Sequence, residues 1–223
     1  MFQVMRLKEG DEVVLVFDDG IKRLARVLDV ETRQFELVQE LDDNVELPVQ
    51  VTIASGFPKG DKLEFITQKV TELGASQIWA FPADWSVAKW DSKKLGKKVE
   101  KLEKIALGAA EQSKRNIIPS VKLFEKKADF SAQLDQFDRI VVAYEESAKE
   151  GEAAALLQVV SGLEKGAKLL FIFGPEGGLS PAEIESFEAK GAVLAGLGPR
   201  ILRAETAPLY ALSALSVLLE LEK

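Results

Sequence analysis

The sequence predicts an α/β protein in two parts. Residues 1–48 form a small β-rich domain, and residues 49–223 form a unit whose mostly parallel sheet is covered by helices on both faces. Three observations carry this reading. The first part consists of short β-branched runs separated by hairpin-turn residues. From Val49 onward, strand-like runs alternate with segments of helical periodicity. Two of the last strand-like runs lead into glycine-bearing loops, Gly174-Pro175-Glu176-Gly177-Gly178 and Leu197-Gly198-Pro199-Arg200-Ile201-Leu202-Arg203-Ala204-Glu205-Thr206-Ala207, with helices beyond them.

In the first part, Glu12 to Phe17 is apolar and β-branched, Asp18-Asp19-Gly20 supplies turn chemistry, and Ile21 to Leu28 resumes the strand pattern. Gln34 to Leu41 gives a third strand that Asp42-Asp43-Asn44 ends, so a small β-barrel or curled sheet is expected, with Glu46-Leu47-Pro48 as its boundary. Further on, strands are expected at Val51–Ser55, Gln77–Pro82, Val121–Phe124, Ile140–Tyr144, Lys168–Phe173 and Ala192–Leu197. Helices are expected at Asp61–Leu73, Ser92–Lys114, Glu152–Val160, Pro181–Lys190 and Glu205–Leu221. The helix from Asp61 hides Leu63, Ile66, Val70 and Leu73, and Gly74 suits its C-terminal cap.

Composition narrows the chemistry. Hydrophobic residues make up 47% and charged residues 29%, as in a water-soluble core-forming protein. No apolar run reaches the roughly 18 residues of a membrane span, and the N-terminus lacks a signal-peptide pattern, so a cytoplasmic location is expected. Cysteine is absent, which removes disulfides and thiol catalysis. Histidine is absent too. Zinc catalysis and Ser-His-Asp hydrolysis lose their usual residues, no metal is expected, and a hydrolase would also need the missing G-x-S-x-G elbow. Proton transfer falls to a carboxylate, a lysine, a tyrosine or water. The net charge of −7 speaks against indiscriminate nucleic-acid binding but allows a local basic surface.

The glycine loops are the sharpest signal. Ser180-Pro181-Ala182-Glu183 reads as a capping box, so the first loop runs into a well-made helix start. A phosphate cradle is the obvious reading, yet Glu176 inside the loop would repel a phosphate. Neither dinucleotide nor P-loop nucleotide motifs occur. The carboxylate suits a neutral or cationic ligand, with a plain strand-to-helix turn as the bland alternative.

Taken together, the two loops resemble the paired signature of the bacterial 16S rRNA uridine-N3 methyltransferase family, of the SPOUT class of S-adenosylmethionine-dependent enzymes. Lys59-Gly60-Asp61-Lys62, Gln68 to Gly74, Glu111-Gln112-Ser113-Lys114-Arg115 with Pro119, and Val4-Met5-Arg6 extend the similarity over nearly the whole chain. The resemblance implies a PUA-like β-barrel, here shortened at its N-terminus, followed by an α/β domain with a C-terminal trefoil knot. It also implies a homodimer acting on 16S rRNA or the 30S subunit, with S-adenosylmethionine as cofactor. Cofactor contacts would come from Gly174, Pro175, Glu176, Gly177, Gly178, Leu197, Gly198, Ile201, Leu202 and Thr206. Asp84-Trp85-Ser86-Val87 carries tryptophan where the family commonly has arginine. An RNA-binding or ribosome-assembly protein of the same fold with weak or no activity is the alternative.

For the chemistry, Arg203 is the first choice to stabilise charge developing on uracil oxygens and Arg200 the second, with Glu205, Glu176 or water taking the N3 proton. An Arg203–Glu205 salt bridge is the competing structural role. RNA contacts are expected from Lys114 and Arg115, from Lys69, and in the first domain from Arg6 and Arg23. Lys94, Lys97, Lys98, Lys101 and Lys104 share one helical face near Trp85 and Trp90, though such faces are usually only solvated. Ala207, Ala211 and Ala214 form a small-residue face that would pack either in a dimer or inside one subunit.

Overall fold

A computed structural model of the chain describes residues 6–144 and 154–221. The chain divides into two compact units, one reaching Glu46 and including Lys114–Ile117, the other formed by Leu47–Ser113 and the chain from Ile118 onward. Val4 and Met5 of the family resemblance, and residues 152–153 of the expected fourth helix, lie outside the described residues.

In the first unit, β1 (Glu12–Val16), β2 (Lys22–Asp29) and β3 (Gln34–Leu41) form an antiparallel sheet in sequence order. Gly20 takes a positive φ of 74° in the first hairpin, and Asp19 Oδ1 accepts from the Ile21 amide at 2.9 Å, which is why Asp-Asp-Gly turns the chain here. Irregular register at Leu24/Ala25 and Val27/Asp29 twists β2 against β3. Val13, Ala25 and Val27 are its buried apolar residues.

The second unit holds a six-stranded parallel sheet. Its strands are β4 (Gln50–Gly56), β5 (Gln77–Phe81), β6 (Ser120–Leu123), β7 (Arg139–Ala143), β8 (Lys168–Phe173) and β9 (Val193–Ala195), in the order β6-β5-β4-β8-β7-β9. Helices α1 (Lys62–Glu72), α2 (Ser92–Gln112), α3 (Lys127–Ser131), α4 (Ala154–Ser161), α5 (Pro181–Glu188) and α6 (Ala207–Ser216) accompany it, the last running into a π turn at Val217–Leu221. Strand β8 shows why a continuous apolar run is needed. It sends Leu169, Phe171 and Phe173 into a core with α1, α4 and α6 residues, and Leu170 and Ile172 into a second core with Phe130 and Phe187. Each such buried side chain contributes about 1.5–3 kcal/mol over exposure.

Among the departures from expectation, these have local reasons. Helix α2 stops at Gln112 because Lys114 adopts a positive φ of 56°, which a continuing helix excludes. Helix α6 starts at Ala207, after a turn in which the Thr206 and Ala207 amides both donate to the Arg203 carbonyl. Helix α3 and the 3-10 turn at Leu134–Gln136 sit where no periodicity announced them; Phe130 and Leu134 anchor them in the core.

Candidate functional site

Because every strand of the large sheet is parallel, the loops after β4, β5, β7, β8 and β9 gather at one edge, where open α/β sheets bind ligands. There the second unit contains a cavity of about 740 Å3, lined by the 174–179 loop, by Leu197, Gly198 and Arg200–Ala204, and by Ala143, Tyr144, Lys62 and Trp85.

The first loop is packed backbone against backbone. A side chain at Gly174 would place its Cβ 2.7 Å from the Gly178 carbonyl carbon, and one at Gly56 would lie 2.5 Å from Pro175 Cδ. Gly178 takes φ +79° and its amide donates to the Pro175 carbonyl at 2.9 Å. The loop then enters α5 through the expected capping box. Ser180 Oγ accepts from the Glu183 amide, and Glu183 Oε2 accepts from the Ser180 amide. Glu183 is buried and its other oxygen accepts from the Asp84 amide at 3.0 Å, while Ser180 Oγ donates to Asp84 Oδ2 at 2.6 Å. The Lys127 ammonium and the Ser180 hydroxyl together hold the Asp84 carboxyl below the usual range.

Lys62, in the first turn of α1, joins the two loops. Its Nζ lies 3.0 Å from Glu176 Oε1 and 3.0 Å from Glu205 Oε2, and Glu176 also accepts from the Lys59 amide at 3.1 Å. Glu205 Oε2 is sealed from solvent and, among the described residues, lacks an aligned hydrogen bond, so the close Lys62 ammonium helps to stabilise its charge. Burial pushes both carboxyls up, but their own backbone amides and the Lys62 ammonium outweigh it and hold both below the ordinary range. Glu205, then Glu176, raise the Lys62 ammonium in return. Local sequence does not pair Lys62 with these carboxylates; what marks it is its place in the Lys59-Gly60-Asp61-Lys62 segment of the resemblance.

Glu205 and Glu176 are both held ionised by one lysine, so a proton taken by either carboxylate would be taken in competition with that ion pair. The Arg203–Glu205 contact exists only at 4.0 Å, with the Arg203 side chain 83% exposed, so the guanidinium is open to a ligand. Arg200 and Ile201 are exposed on the same loop, and Gly198 takes φ +86°. Of the residues expected to touch a cofactor, all but Thr206 line the cavity; Thr206 instead opens the turn into α6.

The expected RNA contacts divide. Arg115 is a correction. Its side chain is 2% exposed and pairs with Glu46, whose oxygens also accept from the Asn116 and Ile117 amides, so it ties 114–117 into the first unit instead of facing a phosphate. Arg23 is bound by Asp19 and Glu40 and lies over the Phe17 ring, and Lys69 pairs with Glu72 at 2.8 Å. Arg6 and Lys114 are exposed. On α2, Lys94, Lys97 and Lys104 are exposed, whereas Lys101 pairs with Glu64 and Lys98 lies over Trp90. Ala211 is buried in the core and Ala207 and Ala214 pack partly against it, so this face serves the chain's own interior.

Comparisons with known proteins agree with this architecture. The RNA methyltransferase domain family matches residues 45–216, and the RNA methyltransferase PUA domain matches residues 1–40. The chain is 49% identical over 220 residues to a ribosomal RNA small subunit methyltransferase E of Bacillus subtilis, covering 98% of this chain and 86% of that protein. A protein of the same name from Synechocystis is 32% identical over 218 residues, covering 98% and 70%. A crystal structure of such an enzyme from Neisseria gonorrhoeae, bound to S-adenosyl methionine, superposes with a TM-score of 0.78 at 25% identity, covering 97% of this chain and 87% of that one.

Proposed function

This chain belongs to the ribosomal RNA small subunit methyltransferase E family, and from that premise we propose that it transfers a methyl group from S-adenosylmethionine to N3 of one uridine in 16S rRNA of the small ribosomal subunit. The observation that carries this reading is the cavity itself. Two loops frame it, one with a backbone cradle that a single added Cβ would fill, the other with an exposed guanidinium.

The residues present suit that cofactor. Gly174, Pro175, Gly177 and Gly178 offer backbone groups without side-chain obstruction, Leu197, Gly198, Ile201 and Leu202 offer an apolar wall, and ionised Glu176 and Glu205 lie near with one lysine between them. The Glu176 carboxylate inside the loop that frames the cavity suits a cationic sulfonium better than a phosphate. When bound, S-adenosylmethionine supplies an electrophilic methyl group. Arg203 then stabilises negative charge on the uracil carbonyl oxygens as the N3 proton leaves, with Arg200 supporting it. Glu205, Glu176 or a water takes that proton, and Lys62 keeps both carboxylates in the ionised form that can accept it. The loops contribute chiefly by positioning, as an in-line displacement requires.

In this reading the first unit is a PUA-like RNA-binding barrel, and the α/β unit is a SPOUT domain whose loops 174–178 and 197–206 belong to a trefoil knot. The protein works as a cytoplasmic homodimer. Exposed Ile201, Tyr210, Val217 and Leu221, on the second loop and the C-terminal helical segment, support such pairing. Lys114 and Arg6 are its RNA-facing cations. The test is to incubate the protein and S-adenosylmethionine with 30S subunits from cells lacking this gene and map methylated nucleosides by mass spectrometry. N3-methyluridine at one position is the expected result; no new methylation would refute the reading.

A further inference from the structure

Three aromatic residues line the cavity, and they differ in what their rings are free to do. Phe173 is buried in the core and Tyr144 is half-buried, whereas Trp85 is 49% exposed. The other two tryptophans have committed rings: Trp79 is buried against Phe124 and Phe137, and Trp90 lies between Phe57 and the Lys98 ammonium. A single exposed tryptophan is ordinary on a protein surface. This one is held in place.

Trp85 sits in a tight turn in which the Ser86 amide donates to the Ala83 carbonyl at 2.9 Å and the Ala83 amide donates to Ser86 Oγ at 3.2 Å. Its neighbour Asp84 is fastened to the start of α5 through Ser180 and Glu183. Beneath it runs the glycine loop. A Cβ at Gly177 would lie 3.1 Å from Trp85 Cβ, and one at Gly178 would lie 3.9 Å from its Cζ3, so Trp85 packs closely against the glycine loop at Gly177 and its ring lies alongside Gly178. Trp85 is therefore a half-exposed aromatic on the wall of a cavity that Arg203 also lines.

An aromatic side chain and an exposed guanidinium lining one cavity match a flat base whose edge carries carbonyl oxygens. We infer that Trp85 stacks the pyrimidine that receives the methyl group, holding its ring at the cavity mouth while Arg203 meets its oxygens. The inference rests on the methyltransferase reading and adds the group that grips the acceptor base once it leaves its own stack.

The test is steady-state methylation of 30S subunits from cells lacking this gene, with calorimetry of S-adenosylmethionine binding alongside. Trp85→Ala is expected to raise KM for the subunits about tenfold, within what base–aromatic stacking supplies, while kcat and cofactor affinity stay within about twofold. Trp85→Phe is expected to recover most of the loss. An unchanged KM in Trp85→Ala, a fall in kcat at unchanged KM, a parallel loss of cofactor affinity, or a Trp85→Phe variant no better than alanine would overturn the stacking role alone. Wild-type protein inactive on these subunits would overturn the underlying reading, and the stacking role with it.

Discussion

The glycine loop at 174–178 is packed against neighbouring backbone, whereas the loop at 197–206 leaves its longest side chains in water. In the first, Gly174 and Gly178 pack backbone to backbone, Gly56 presses on Pro175, and Glu176 is tied to the Lys59 amide and the Lys62 ammonium. In the second, the Arg200, Ile201 and Arg203 side chains are exposed, while Glu205 is fastened to the same lysine. A site that must place one substrate and respond to another needs both kinds of loop. Rigid backbone fixes the position of a reacting atom, and free charged side chains meet charge that appears only during reaction. The first loop holds; the second acts.

Substitutions can break this division, the largest effect coming from the acting loop. Arg203→Ala is expected to lower kcat for rRNA methylation about 10²–10³-fold, the scale of losing one preorganised charge-stabilising group. Radiolabel transfer from S-adenosylmethionine measures it, and near-normal turnover would move the acting role elsewhere. Gly174→Ala strikes the holding loop. Its Cβ meets Gly178 backbone at 2.7 Å, which cannot swing aside, so urea unfolding is expected to show about 1–3 kcal/mol of lost stability in a still-folded protein. Ser180→Ala removes the cap that ends the same loop and is expected to cost about 1 kcal/mol by the same measurement.

Lys62→Met sharpens the comparison through pH. Both partner carboxyls lie below their ordinary range in the folded protein. Their stabilisation is therefore present above the unfolded carboxylate value of about 4.3 and is lost as pH falls through the lower folded value. Without the ammonium that depression fades. The Tm gap between wild type and Lys62→Met is expected to be widest near neutral pH and to narrow below pH of about 4. A gap independent of pH would mean that Lys62 stabilises by packing alone.

Much of this was legible in the sequence because it is written locally. Gln34–Leu41 and Lys168–Phe173 are strands in the structure with the bounds their apolar runs predict, and Ser180-Pro181-Ala182-Glu183 forms the capping box its spacing announces. The paired glycine loops do meet around one cavity. What escaped depends on partners distant in the chain. Lys62 falls in a segment of the family resemblance, but its pairing appears only when α1 brings it between Glu176 and Glu205. Arg115 reads as a phosphate contact until Glu46 closes on it and buries it. Residues 127–136 carry too short a pattern to show periodicity, and the order β6-β5-β4-β8-β7-β9 follows from packing that no single segment encodes.

The division between a holding and an acting loop is tested most directly by titrating S-adenosylmethionine into Gly174→Ala and Arg203→Ala side by side in a calorimeter. The expected result is no measurable binding to the folded Gly174→Ala protein and wild-type affinity for Arg203→Ala. Wild-type affinity in Gly174→Ala, or binding lost with the arginine, would contradict it.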